Sequence, residues 1–162
     1  MKEALLIGQI QQELSQVQVM ISETGRMLEK VQHTADKDYL GTIALNLQSF
    51  YTAVERILVA IAKEIDTTIP QEENWHQALL AQMVVEIPGT RQPVLTTQTQ
   101  QGLDEFRRFR HVVRSNYAHR LDPERVQALA RKLDAVSQYL IRDCQRFCAE
   151  LKSLEREQDI QR

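Results

Sequence analysis

Apolar residues recur every three to four positions along almost the whole chain, and this spacing constrains the fold more than any other feature. A period near 3.6 is typical of an amphipathic α-helix, and no stretch shows the sustained alternation of a half-buried strand. The two longest stripes, in residues 3–33 and 38–66, are Leu6, Ile10, Leu14, Val17, Ile21, Leu28 and Val31, then Ile43, Leu47, Phe50, Val54, Ile57, Ile61 and Ile65. The sequence therefore predicts an all-α fold.

Proline residues divide the middle of the chain. Pro70 ends the second helix within residues 67–70, because its ring disfavours a helical residue before it, and Pro70 can open a third helix through Gln71, Glu72 and Glu73. The segment 86–96 contains two prolines and a glycine, so it is predicted to be the one long loop of the domain.

Helix-capping patterns mark the last two helices. Thr97 and Gln100 have the spacing of a capping box for a fourth helix that ends near residues 114–115. Asp122 is predicted to be the N-cap of a fifth helix, with Pro123 and Glu124 in its first turn.

Helices with short connections favour an antiparallel up-and-down bundle of four to five helices. The length of 162 residues has room for one core, so we expect a single domain over residues 1–155 and a frayed tail over 156–162. The apolar stripes are wide enough to leave surface for a partner or for a second copy in a homodimer.

Composition excludes several classes of protein. A net charge of −2 and a pI of about 6.1 argue against a protein that coats nucleic acid or anionic membrane indiscriminately. The apolar runs are far shorter than the ~20 residues of a membrane span, and the N-terminus is unlike a secretory signal. Cys144 and Cys148 lack the further Cys or His of a zinc site. We expect a cytoplasmic protein with reduced thiols, no metal site, no cofactor and no membrane partner.

One segment departs from this acidic background. Residues 107–120 hold five arginines and two histidines with no acid. On a helix, Arg107, Arg110, His111 and Arg114 fall on or beside one face, and Phe106, Phe109, Val113 and Tyr117 fall on the adjacent one. The apolar face is expected to dock and the basic face to bind a phosphate anion. Alternatively, this is a solvated face whose acids come from neighbouring helices. On the second helix Glu55, Arg56 and Glu64 are candidate partners that would position the arginine side chains in the cleft.

The relation between Arg114 and His119 decides whether the segment can carry chemistry. Five residues apart on an unbroken helix, they would point about 140° away from each other. Ser115 and Asn116 compete for backbone hydrogen bonds and Asp122 starts a new helix, so we expect His119 in a turn that folds back toward Arg114.

This arrangement suits RNA cleavage without a metal. His119 would take the proton of a ribose 2′-hydroxyl and Arg114 would stabilise the added charge on the phosphate. The leaving 5′-oxygen needs a second proton-transferring group, which is either His111 or the second His119 of a two-fold dimer. Predicted auxiliary and RNA-binding residues are Arg107, Arg110, His111, Ser115, Asn116, Tyr117 and Arg120.

The motif R-x4-H formed by Arg114 and His119, placed before the last long helix, resembles the signature of the HEPN superfamily and in particular of HepT-type ribonuclease toxins. The residues around Glu55 and Trp75 are also similar to a HepT-like branch. The resemblance implies a helical bundle that dimerises with both motifs in one cleft, endoribonuclease activity on cellular RNA such as tRNA, and a nucleotidyltransferase antitoxin of the MNT type as partner.

The sequence departs from that family at the modified tyrosine. HepT toxins often read R-x4-H-x-Tyr, and the tyrosine accepts AMP from the antitoxin, whereas Leu121 stands at this position. Tyr117 is the candidate substitute. Ser115 follows the motif arginine where relatives carry a more strongly polar residue, and Asn116 can take over that role.

The sequence is also compatible with two other functions. The first is a HEPN module without catalysis that binds a nucleotidyltransferase or a nucleotide. The second is a helical interaction protein whose arginine helix docks an acidic partner. For Trp75 and His76 the simplest expectation is that Trp75 anchors a short helix and that His76 faces solvent.

Overall fold

The computed structural model describes residues 2–34, 36, 38–115 and 121–162. Over this part of the chain it has five helices and no named strand: α1 (Lys2–Thr34), α2 (Asp38–Ile61), α3 (Trp75–Gln82), α4 (Thr97–Ser115) and α5 (Pro123–Ile160). A π-helical turn, Ala62–Asp66, extends α2. The predicted all-α bundle is confirmed.

The apolar stripes of the helices form one core. α1 packs mainly against α2 and α5, and α4 lies across α2 and α5 with α3 beside it. Most of the residues in the two predicted stripes are buried, while Ile21, Leu28 and Ile65 are half-buried. Phe50 of α2 meets Phe106 of α4 edge to face, with ring centroids 5.0 Å apart. No helix in the described ranges is long and apolar enough to cross a membrane.

The predicted start of α3 at Pro70 is wrong. The helix begins at Trp75, and residues 71–74 form a turn in which Trp75 N donates to Glu72 O at 3.0 Å. All four side chains of this turn are exposed. Because none of them anchors a helical turn to the core, regular helix starts only where Trp75 packs against it.

The start of α4 differs from the predicted capping box by one residue. Thr96, not Thr97, supplies the cap, because its hydroxyl accepts a hydrogen bond from Thr99 N at 3.2 Å. The buried carboxylate of Asp143 on α5 accepts from Thr96 N at 3.0 Å and from the Thr99 hydroxyl at 2.6 Å. A side chain 47 residues away along the chain therefore takes the place predicted for Gln100.

Other predicted helix ends are confirmed. The chain leaves the π-helical turn at Thr67, which has a left-handed φ of 55°. Asp122 caps α5 by accepting from Glu124 N at 3.0 Å, with Pro123 at the first helical position. The helix continues to Ile160, so residues 156–160 of the predicted tail are helical, and fraying of this end stays a prediction.

A buried ion pair fixes the loop 86–96. The guanidinium of Arg91 donates to both carboxylate oxygens of Asp66, at 2.6 and 2.8 Å, and to three backbone carbonyls. The Arg91 side chain is 3% exposed and the Asp66 side chain 1%. This pair holds the loop against the end of α2 and thereby places the start of α4.

Candidate functional site

The basic helix α4 has the two faces that its sequence predicts. Phe106, Phe109 and Val113 are buried in the core, while Arg114 is exposed in the last turn. Arg107 and Arg110 lie between these extremes, with side chains 17% and 18% exposed. The apolar side therefore docks the helix and leaves the basic side at the surface.

Carboxylates neutralise much of this basic face. Asp104, which precedes the acid-free segment on the same helix, contacts Arg107 at 2.7 Å and Arg108 at 3.3 Å. Glu55 of α2 contacts Arg110 at 3.3 Å. The predicted supply of acids by a neighbouring helix is confirmed for Glu55, whereas Glu64 contacts Lys63 and Arg56 contacts Glu13, both at 3.9 Å.

Arg114 has a different environment from the preceding arginines. It is exposed and makes no ion pair with any residue within the described ranges. It also lies near the C-terminal end of α4, where the helix dipole favours a cation. Its charge is therefore available to an anion from solution.

Glu55 connects three helices at this site. Its carboxylate is buried, and besides Arg110 of α4 it contacts the Nδ1 atom of His76 on α3. The His76 ring stacks on that of Trp75, with centroids 3.7 Å apart and planes at 28°. The expectation that His76 faces solvent is wrong, because Glu55 draws its ring inward and leaves the side chain 31% exposed.

A cleft of about 500 Å³ opens between the turn before α3 and the basic face of α4. His76 and Gln77 line it on one side, Arg107 and His111 on the other, and Glu72, Glu73 and Asn74 lie at its rim. Arg107, His111 and Arg114 are spaced four and three residues apart, so they share one face of α4. The cleft therefore lies on the face of α4 that carries Arg114, and His111, three residues before Arg114, is its lining residue nearest to it in the sequence.

Tyr51 lies beneath this charged cluster. Its ring is buried, and burial raises the pKa of the phenol well above its usual range, with the negative charge of Glu55 acting in the same direction. Its hydroxyl has no hydrogen-bond partner within the described part of the chain. The phenol is therefore un-ionised at neutral pH.

Several predicted site residues lie outside the described residues, namely Asn116, Tyr117, His119 and Arg120. Ser115 is described only as the last residue of α4. The approach of His119 to Arg114 thus stays a prediction.

Leu121, at the position where HepT toxins often carry tyrosine, is half-buried and packs against the core. Among the described residues no group of His, Cys, Asp and Glu side chains has the arrangement of a metal site.

Helical periodicity in the sequence indicates that Glu55 is buried and needs a polar partner. Glu55 lies four residues after Tyr51 and three before Leu58, both buried, so it occupies the core stripe of α2. An acid at such a position requires a cationic or hydrogen-bonding partner. Its partners His76 and Arg110 are 21 and 55 residues away, and no local pattern identifies them.

Comparison with known proteins gives one match. A family model described as "HepT-like protein" matches residues 42–151, about two thirds of the chain, and this span contains the cleft, Arg114 and His119. No curated protein and no solved structure matches the chain.

Proposed function

The chain belongs to the HepT-like family, and on that premise we propose that it is a metal-independent endoribonuclease of the toxin type, with Arg114 and His119 as its catalytic residues. The observation that carries the proposal is the difference between Arg114 and the other arginines of α4. Arg107, Arg108 and Arg110 have carboxylate partners, whereas Arg114 is exposed and pairs with no described residue. Among the described arginines of α4, Arg114 alone lacks a carboxylate partner, and one such cation suits one phosphate better than a broad RNA-coating surface does.

The reaction follows from the chemistry of the two motif residues. His119 removes the proton of a ribose 2′-hydroxyl, and the oxygen attacks the adjacent phosphorus. Arg114 stabilises the negative charge that accumulates on the phosphoryl oxygens in the transition state. The products are a 2′,3′-cyclic phosphate and a free 5′-hydroxyl.

The biological setting is part of the proposal. The protein would act in the cytoplasm as a homodimer with two motifs in a shared cleft, and a nucleotidyltransferase antitoxin of the MNT type would neutralise it. Because Leu121 cannot accept AMP, Tyr117 would be the residue modified if neutralisation is by AMP transfer.

Cleavage of total tRNA in the presence of EDTA tests this function. Arg114→Ala and His119→Ala should each lower the rate by at least 100-fold, the lower range for an acid–base or oxyanion-stabilising group. Arg108→Ala is the matched control, because Arg108 is 59% exposed on the same helix. It lies six residues before Arg114 and therefore about 120° from it around the helix axis. Intact tRNA with the wild type, or equal loss in all three variants, would contradict the proposal.

A module without catalysis is the second candidate. It is favoured by the carboxylate partners of Arg107 and Arg110, which reduce the number of cations free to hold RNA. In that case the purified protein would bind a nucleotide or its nucleotidyltransferase partner and leave tRNA uncut.

A further inference from the structure

The proposed reaction requires two proton transfers, and the motif supplies one of them. His119 takes a proton from the 2′-hydroxyl, while the departing 5′-oxygen has to receive one. The cleft on the same face of α4 as Arg114 is lined by two imidazoles, His76 of α3 and His111 of α4. The His76 ring is held on two sides by neighbouring side chains, Glu55 and Trp75.

The orientation of the His76 ring is fixed by its surroundings. Stacking on Trp75 sets the plane of the ring, and the contact of Nδ1 with Glu55 sets its rotation within that plane. An ionised carboxylate only accepts hydrogen bonds, so Nδ1 carries a hydrogen in this contact. The nitrogen that remains to exchange a proton with a bound ligand is Nε2.

Glu55 is itself held in place. Its side chain is 9% exposed, and its other oxygen is bound by Arg110, one helical turn before Arg114. The carboxylate thus orients an imidazole for proton transfer, in the way that a buried carboxylate orients the histidine of a serine hydrolase triad. The same carboxylate also connects that imidazole to the helix that carries the motif arginine.

The cleft places this imidazole opposite the face of α4 that carries Arg107, His111 and Arg114. His111, which lines the cleft opposite His76, is three residues before Arg114 and therefore about 4.5 Å from it along the helix axis. A nucleotide whose phosphate is at Arg114 would extend along α4 into the cleft. The charged and titratable groups that face His76 there are Glu55 and Arg110 below it, Arg107 and His111 across it, and Glu72 and Glu73 at the rim.

From this geometry we infer that His76, oriented by Glu55, is the general acid that protonates the leaving 5′-oxygen. This inference rests on the proposed ribonuclease function, and it replaces His111 or a second His119 in that role. As the 2′-oxygen forms its bond to phosphorus, the bond from phosphorus to the 5′-oxygen breaks and its electron pair stays on that oxygen. The Nε2 proton of the imidazolium moves to the oxygen, and His76 is left neutral, with its Nδ1–H still donated to the Glu55 carboxylate.

The test compares two RNA substrates that differ at the leaving atom. One is an oligoribonucleotide that spans the position cleaved by the wild type, and in the other the scissile 5′-oxygen is replaced by sulfur. A thiolate leaves without protonation, so a variant that lacks the general acid should cleave the sulfur substrate almost normally. His76→Gln should lose at least 100-fold in rate on the oxygen substrate and less than tenfold on the sulfur substrate.

Two further variants make the experiment specific. His33→Gln is the matched control for the substitution, because His33 is exposed at the end of α1 and should leave both rates unchanged. His111→Gln separates the two imidazoles of the cleft, since any loss it causes should be the same on both substrates. Cleavage of the sulfur substrate by His76→Gln also demonstrates that this variant is folded.

Each other outcome overturns the inference. An equal loss by His76→Gln on both substrates would mean that His76 has a structural or binding role, and an undiminished rate on the oxygen substrate would mean that it has no role. Rescue of His111→Gln by sulfur would assign the acid to His111. In all three cases the ribonuclease proposal survives, whereas a wild type that cleaves neither substrate contradicts that proposal itself.

Discussion

The three-way contact at Glu55 allows a quantitative prediction of stability. Glu55→Gln keeps the shape of the side chain and replaces one carboxylate oxygen by an amide NH2 group. Both groups that contact Glu55, Nδ1–H of His76 and the guanidinium of Arg110, are donors. The amide therefore places a donor against one of these donors and removes the counter-charge of Arg110.

The expected cost follows from burial. Breaking a fully buried ion pair by removing one partner costs about 3–5 kcal/mol. Here the Glu55 side chain is 9% exposed, but those of Arg110 and His76 are 18% and 31% exposed and keep some contact with water. We therefore expect a loss of about 2 kcal/mol in the free energy of unfolding, close to the cost of one unsatisfied buried polar group.

Urea unfolding measures this loss against a matched control. Glu105→Gln removes the charge of an exposed pair, in which Glu105 and Lys132 are 40% and 55% exposed and 2.9 Å apart, and it should cost at most about 1 kcal/mol. The slopes of the unfolding curves should agree with that of the wild type, so that midpoints report stability. Equal costs for the two variants would refute the argument that burial makes the Glu55 contacts strong.

Two further predictions concern buried side chains whose pKa is raised. Tyr51→Phe removes a buried hydroxyl that has no described partner, so the free energy of unfolding measured in urea should stay constant or rise by up to about 1 kcal/mol, and a fall of more than 1 kcal/mol would contradict this. Burial raises the pKa of Cys144 far above the value of about 8.5 for an unfolded thiol. Its contribution to stability is therefore complete below about pH 8.5 and is lost as the pH rises toward the folded value, because only the unfolded chain then releases the proton. Between pH 8 and 10 the wild type should lose about 2 kcal/mol more than Cys144→Ala, and parallel stability curves in urea would contradict the raised pKa.

The helices were predictable from the sequence because their stripes are long and the period is local information. α1 runs without interruption through Gly25, and the stripes of α2 and α5 are buried as expected. The starts of α3 and α4 were not predictable to the residue. The start of α4 depends on Asp143, which is far away in the sequence and accepts a hydrogen bond from Thr96 N. The start of α3 depends on where Trp75 packs against the core.

The faces of α4 were predictable from the sequence, whereas the cleft between α3 and α4 was not. The two-faced character of α4 follows from helical spacing, so the buried positions of Phe106 and Phe109 and the exposure of Arg114 agree with the sequence. The cleft does not follow from any local pattern. It exists because the turn before α3 places His76 opposite α4, and that placement depends on Glu55, a residue of another helix.

Three buried carboxylates of this domain are each paired with an arginine: Glu55 of α2 with Arg110 of α4, Asp66 with Arg91 of the loop 86–96, and Asp143 with Arg146 on α5. Burying ions is expensive, and apolar side chains of similar size hold helices together equally well. In two of these pairs one member also binds backbone, Arg91 at the carbonyls of a loop and Asp143 at the amide of a helix start, where an apolar side chain could not satisfy these groups. Glu55, by contrast, contacts two polar side chains, His76 and Arg110, and binds no backbone group in the described part of the chain. Contacts with backbone therefore account for the Asp66 and Asp143 pairs. The charge of Glu55 has no such explanation, and under the proposed function it serves to orient His76 and Arg110 toward a ligand beside Arg114.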